Sequence, residues 1–324
     1  MLDMKGRVAM LQNILVPLDG SPVSETALPY AEALAARSHA RLTLMRAALA
    51  PLVPSGEAQL RKLKQAEEYL EGHAVELRLR GLRVETGVPY GLSASSWIAE
   101  EVDLRLADIV VMATHDRVGP DRWLHGSVAE AVVSRGVAPV MLVRAADGMR
   151  AAESLAWQEP VLIVPLDGSE LAQAAVPVAL ELARSLTAKL VLASVVPMAG
   201  QLVANEAGIG TYAGHSHERL IADAHAYLNA IVARVPASEL VVHALVREGE
   251  PATEIALVAH EHHAVAIVMA THGRTGVARS ILGSVAGKVL HCSTTPVVLI
   301  RPAELRPSEH PVPIEGLATT AQPA

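Results

Sequence analysis

The chain repeats itself. The run NILVPLDGSPVSETALPYAEALA, from Asn13, returns from Pro160 as PVLIVPLDGSELAQAAVPVALELA, so Asp19-Gly20-Ser21 matches Asp167-Gly168-Ser169. Later correspondences keep the same order. Gly87-Val88-Pro89 matches Gly249-Glu250-Pro251, and DIVVMATH from Asp108 matches VAIVMATH from Val265. Gly126-Ser127 matches Gly283-Ser284, and PVMLVR from Pro139 matches PVVLIR from Pro296. Solenoid units run from about 20 to 50 residues, and this period is far longer. It implies two homologous domains, which 324 residues accommodate. The reading places a leader at 1–12, domains at 13–144 and 160–301, and a linker at 145–159. A proline-bearing tail at 302–324 shows little apolar periodicity and is expected to be disordered. The second copy is the longer one, and its extra residues fall mostly in the Gly-rich stretch 199–214.

Within each copy, short apolar β-branched runs alternate with stretches of helical spacing. In the first copy strands are expected at 13–18, 41–47, 82–86, 108–113 and 139–143, with a loop at 48–56. Ser21 reads as an N-cap with Pro22 at the first helical position. Further helices are expected over 57–80, over 92–104 and from Gly126-Ser127 onward. Aromatic residues make up 2% of the chain and Phe is absent, so the cores must be aliphatic. That suits parallel sheets covered by helices on both faces, and the alternation of elements points to βαβ units in an α/β fold. Such sheets bind ligands beyond the carboxyl ends of their strands, where the strand order switches. The ends of the first and fourth strands of each copy lie on that edge.

The loop after the second copy's fourth strand carries the clearest chemistry. Ala270-Thr271-His272-Gly273 is followed by Gly283, Ser284 and an amphipathic run from Val285. Glycines let a backbone approach a phosphate, and a helix N-terminus offers it free N–H groups. The same residues also fit a plain strand-to-helix turn. Asp19 and Asp167, each before Gly-Ser, likewise fit a turn residue or helix cap.

Other classes are excluded or weak. A net charge of −7 with no Lys/Arg block argues against nucleic acid. No apolar run reaches membrane-spanning length, and the N-terminus lacks a secretory h-region, so a cytoplasmic location is expected. The single cysteine, Cys292, excludes an intrachain disulfide and reads as a buried or half-buried small residue. His260, His262 and His263 cluster with Glu261 but read as a solvated helix end rather than a metal site. His215 and His217 fall in or beside the Gly-rich stretch, and Trp97 reads as helix packing. There is no Walker A loop, dinucleotide fingerprint or Gly-x-Ser-x-Gly elbow. No metal ligands and no catalytic residues are assigned.

The segments ILVPLDGS, ATHGRTG, the GS at the following helix start and TPVVLIR resemble the universal stress protein family. The chain is similar to a tandem member with two fused domains. The resemblance implies an α/β fold with two five-stranded parallel sheets, each of order 3-2-1-4-5 between helices. Its ATP-binding members carry Gly, two residues, Gly, nine residues, Gly, then Ser or Thr. The second half matches as Ala270, Gly273, Gly283 and Ser284, with only the first glycine changed. The first half matches as Ala113, Asp116, Gly126 and Ser127. Asp116 puts a carboxylate where phosphates would sit, so the nucleotide is expected mainly in the second half; a divalent metal bridging Asp116 to phosphate keeps the first half open.

By the same resemblance, Asp167 contacts the nucleoside, Val195 packs on adenine, and Val164 and Pro165 line that end of the pocket. Ala270, His272, Gly273, Gly276, Gly283, Ser284 and Val285 surround the phosphates, with Thr271 and Arg274 as neighbours. The weaker first-half set is Asp19, Ala47, Gly126 and Ser127. The implied cofactor is ATP, alone or with Mg²⁺. The implied role is stress-response regulation, with any hydrolysis slow. The domains are expected to form a pseudo-dimer through last strands at 138–143 and 295–300, with a further homodimer left open. The alternative is a nucleotide-free scaffold acting through that domain pair.

Overall fold

The computed structural model describes residues 11–49, 56–91, 93–114, 128–144, 157–198, 202–205, 208–211, 217–236, 238–274 and 282–306. The first half contributes strands β1 (Asn13–Pro17), β2 (Arg41–Met45), β3 (Ala48–Leu49), β4 (Arg83–Gly87), β5 (Tyr90–Gly91), β6 (Ile109–Thr114) and β7 (Val140–Arg144). The second contributes β8 (Val161–Pro165), β9 (Lys189–Val196), β10 (Leu202–Asn205), β11 (Gly208–Thr211), β12 (Val242–Glu248), β13 (Ala266–Ala270) and β14 (Val297–Ile300). The helices of the first half are α1 (Pro22–Glu25), α2 (Leu28–Ser38), α3 (Gly56–Leu79), α4 (Ala94–Leu104) and α5 (Val128–Arg135). Those of the second are α6 (Glu170–Gln173), α7 (Ala175–Leu186), α8 (His217–Val232), α9 (Pro251–Glu261) and α10 (Ser284–Cys292).

Ten strands make one sheet, in the order β12-β9-β8-β13-β14-β7-β6-β1-β2-β4. Read within each half, both orders are the expected 3-2-1-4-5. Within this sheet every pairing inside a half is parallel, and the halves meet where β14 runs antiparallel to β7, with Val298 opposite Met141. The expected contact through the last strands is therefore present, and it makes the two sheets one.

The inner strands are buried on both faces, which is why they read as continuous apolar runs rather than alternating ones, while the edge strands β4 and β12 are only partly covered. Ile14 and Val16 point into one core with Leu34, Leu70, Leu182 and Leu228, while Leu15 points into the other with Ile98, Val132, Ile255 and Val289. Each core layer draws residues from both halves. Between the helices, Arg37 Nε donates to Leu186 O at 2.6 Å and its Nη1 to Trp157 O at 2.7 Å. Arg144 Nη1 donates to the carbonyls of His291 and Ser293, each at 3.0 Å.

Several local expectations need correction. The helix starting at Pro22 breaks after Glu25 and resumes at Leu28. Pro29 has no N–H to continue the ladder, so the chain must restart there. The second strand ends at Met45, leaving Ala47 beyond it. Ala48–Leu49, expected in a loop, pair in parallel with Tyr90–Gly91 as a separate two-stranded sheet. Part of the Gly-rich stretch forms a hairpin of β10 and β11. Leu11, expected in a loose leader, is buried, and its N–H donates to Ser185 Oγ at 2.8 Å. Within the expected tail, Ala303–Leu305 form a 3₁₀ turn, and 307–324 lie outside the described residues.

Candidate functional site

At the carboxyl end of β8 the chain turns through Asp167-Gly168-Ser169. Gly168 takes a φ of 87°, a left-handed conformation that suits glycine. Asp167 Oδ1 accepts from Ser169 N at 3.0 Å and from Ser169 Oγ at 2.6 Å. Ser169 Oγ in turn accepts from Ala172 N at 3.1 Å and caps α6. This is the turn role that the Asp-Gly-Ser sequence suggests. The other oxygen does something the local sequence does not require. Asp167 Oδ2 accepts from Arg274 N at 2.7 Å, tying the loop after strand one to the loop after strand four.

That tie explains Gly273. A β-carbon there would lie 2.1 Å from Asp167 Oδ2, so any side chain would push the carboxylate off Arg274. Thr271 and His272 are buried beneath the loop, with His272 Nδ1 3.1 Å from Thr271 Oγ1. Thr271 N donates to Ile300 O at 2.8 Å, and Thr271 O accepts from Gly283 N at 2.7 Å. The chain thus returns to its own strand end at Gly283. A β-carbon on Gly283 would sit 3.2 Å from that same carbonyl, tighter than an ordinary contact.

Gly283 opens α10 without any side-chain cap. Ser21, Ser169 and Glu250, by contrast, each put a side-chain oxygen on the first turn of their helices. The N–H groups of Ser284, Val285 and Ala286 have no acceptor within the helix, and the positive end of the helix dipole is left there. Such a terminus suits an anion.

The remaining expected residues are placed unevenly. Val195 lies near the end of β9, half-buried and paired in register with Arg247. Val164 is wholly buried among core residues and Pro165 is buried too, so Val164 packs the core. Ala270 ends β13 opposite Ile300. Ser284 is exposed and Val285 is half-buried. Gly276, Gly126, Ser127 and Asp116 lie outside the described residues. In the first half, Gly20 also has a φ of 87°, and Asp19 Oδ1 accepts from Ser21 N at 2.8 Å, repeating the turn.

One residue was missed. Tyr227, on α8, has a buried hydroxyl that faces Gln173, Asp167 and Arg274. Burial, and then the charge of Asp167, push its ionisation upward, while Gln173 and Arg274 pull the other way. A lone tyrosine in an amphipathic helix carries no sequence signal for such a position.

His260 and His263 have ring centroids 6.5 Å apart at the end of α9, and no cluster of three or more potential metal ligands occurs among the described residues. Cys292, expected to be at least half-buried, is exposed at the end of α10. Trp97 packs against the core, as its helical position suggests. No helix among the described residues is long and apolar enough to cross a membrane.

The model of the universal stress protein family matches residues 10–144 and 161–301. A universal stress protein of Mycolicibacterium smegmatis is 29% identical over 299 residues, covering 89% of this chain and 97% of that one. A putative universal stress protein of Staphylococcus aureus is 30% identical over 142 residues, 41% of this chain and 84% of its own length. Among solved structures, a universal stress protein from Archaeoglobus fulgidus superposes with a TM-score of 0.63 at 20% identity, covering 91% of this chain and 98% of that one. A putative universal stress protein from Pseudomonas aeruginosa gives 0.56 at 18% identity, over 92% and 95%. The family match spans both halves, and the fold beneath it is the same in each: the chain belongs to the universal stress protein family, with two copies of its domain in tandem.

Proposed function

We propose that this protein binds ATP at the carboxyl edge of its second half and acts as a nucleotide-dependent regulator in the cytoplasm, not as an enzyme. The observation that carries the reading is the N-terminus of α10. It is opened by Gly283, lacks a side-chain cap, and lies beside the loop that Asp167 holds in place. Its free N–H groups would take the phosphates, with Ser284 Oγ and the Arg274 guanidinium available to them. Val195 would pack against the base, and Asp167 would face the nucleoside. Mg²⁺, where present, would accompany the phosphates.

A ligand that binds only the folded state raises its stability by about 2.7 kcal/mol at one hundred times its dissociation constant. Melting the protein with saturating ATP and Mg²⁺ should therefore raise its midpoint by several degrees, and inorganic triphosphate should raise it less. An unchanged midpoint with ATP would sink the reading. The second reading, a nucleotide-free scaffold, is favoured by the β7–β14 seam, since a fused domain pair presents one continuous surface without any ligand.

A further inference from the structure

The first half differs from the second in more than Asp116. Arg46 follows β2 directly, next to Ala47. Its guanidinium reaches across to the first-strand turn: a β-carbon on Gly20 would lie 2.7 Å from Nη2, 2.8 Å from Cζ and 3.0 Å from Nη1. The same guanidinium stacks 4.6 Å from the centroid of the Tyr69 ring on α3. Tyr69 is itself fixed, its hydroxyl donating to Glu25 Oε1 at 2.8 Å, with His73 Nε2 3.5 Å from that oxygen. His73 also meets the Tyr69 ring edge-on at 4.9 Å. Arg46 therefore spans the gap between the end of strand two and the turn after strand one. By the repeat, that gap is where the second half would hold its nucleoside, between Val195 and Asp167-Gly168.

The second half has the same frame without the plug. Ser194 stands at the position of Arg46, Gln173 at that of Glu25, and Tyr227 at that of Tyr69 on the corresponding helix, with Gln173 beside its hydroxyl. A guanidinium also approaches Gly168, but it belongs to Arg274. That side chain is exposed, comes from the loop after strand four, and brings one nitrogen within 3.1 Å of a β-carbon built on Gly168.

We infer that Arg46, stacked on Tyr69 and laid over Gly20, fills the nucleoside pocket of the first half and restricts nucleotide to the second. The guanidinium stacked on Tyr69 occupies space a purine ring would need, so a nucleotide entering the first half would have to displace it from Tyr69 and Gly20. The inference rests on the nucleotide reading of the second half. It adds a steric determinant to the electrostatic one at Asp116.

The test is titration of ATP with Mg²⁺ into the full chain, counting sites in the wild type, Asp116→Gly, Arg46→Ser and the double variant. The second-half site, present in all four, reports that each variant is folded. The expected result is one site in the wild type and Asp116→Gly, and two in the double variant. First-half affinity should be at least tenfold tighter in the double variant than in Asp116→Gly. Two sites in the wild type, a full second site in Asp116→Gly, or a single site in the double variant would each overturn the role of Arg46. Absence of any site in the wild type would instead overturn the nucleotide reading beneath it.

Discussion

Gly273 and Gly287 are both glycines of the second half, and the structure gives them opposite meanings. A β-carbon at Gly273 meets Asp167 Oδ2, while one at Gly287, inside α10, meets nothing within 4 Å. Gly273→Ala should therefore cost about 1–2 kcal/mol by displacing the carboxylate from Arg274 N. Gly287→Ala should add about 0.5–1 kcal/mol by removing the entropy cost of a helical glycine. Urea unfolding of the two variants reads both signs; equal effects would contradict the Asp167–Gly273 contact. The pair also shows what sequence alone conveys. The spacing of Gly273 and Gly283 was legible as a motif, but its local cause, a carboxylate arriving from a strand distant in sequence, was not. Arg46 and Tyr227 were invisible for the same reason: their neighbours come from elements far away in the chain.

At the scale of elements, the strand order and the last-strand seam could be read in advance, because repeat and resemblance specify them together. Element starts were less legible. Pro89 and Pro251 correspond, yet α9 starts at Pro251 and α4 only at Ala94. Tyr90–Gly91 are taken up by pairing with Ala48–Leu49, and Val88 offers no cap where the second half has Glu250. Glu250 Oε2 accepts from Thr253 N at 2.9 Å, and Oε1 accepts from Lys288 Nζ at 3.1 Å. Burial works against its charge, but these donors outweigh it and hold the carboxyl below the usual 4.5. A carboxyl depressed on folding contributes stability above its unfolded value and loses it as pH falls through the folded one. Glu250→Gln should accordingly be less stable than the wild type at neutral pH. The gap should narrow steadily below the usual 4.5. A gap that persists unchanged in acid would show that charge at Glu250 is not what stabilises the start of α9.

The whole molecule is a tandem pair closed into one sheet with two shared core layers. β14 pairs with β13 on one side and β7 on the other, so separating the halves would expose strand edges and split both layers. Cutting a protease site inserted between Arg144 and Trp157 should leave the two halves together as a one-to-one complex on size exclusion. Dissociation into free domains would contradict the seam. Two family domains are joined in one sheet, and the second carries Gly273 where the first carries Asp116, so the halves should differ in nucleotide binding. Calorimetric titration of ATP with Mg²⁺ into the intact protein and into Gly283→Glu reads this asymmetry. The substitution places a side chain and a negative charge at the opening of α10. One site per chain is expected in the intact protein and none in the variant. No binding to the intact protein, or a site that survives in Gly283→Glu, would contradict it.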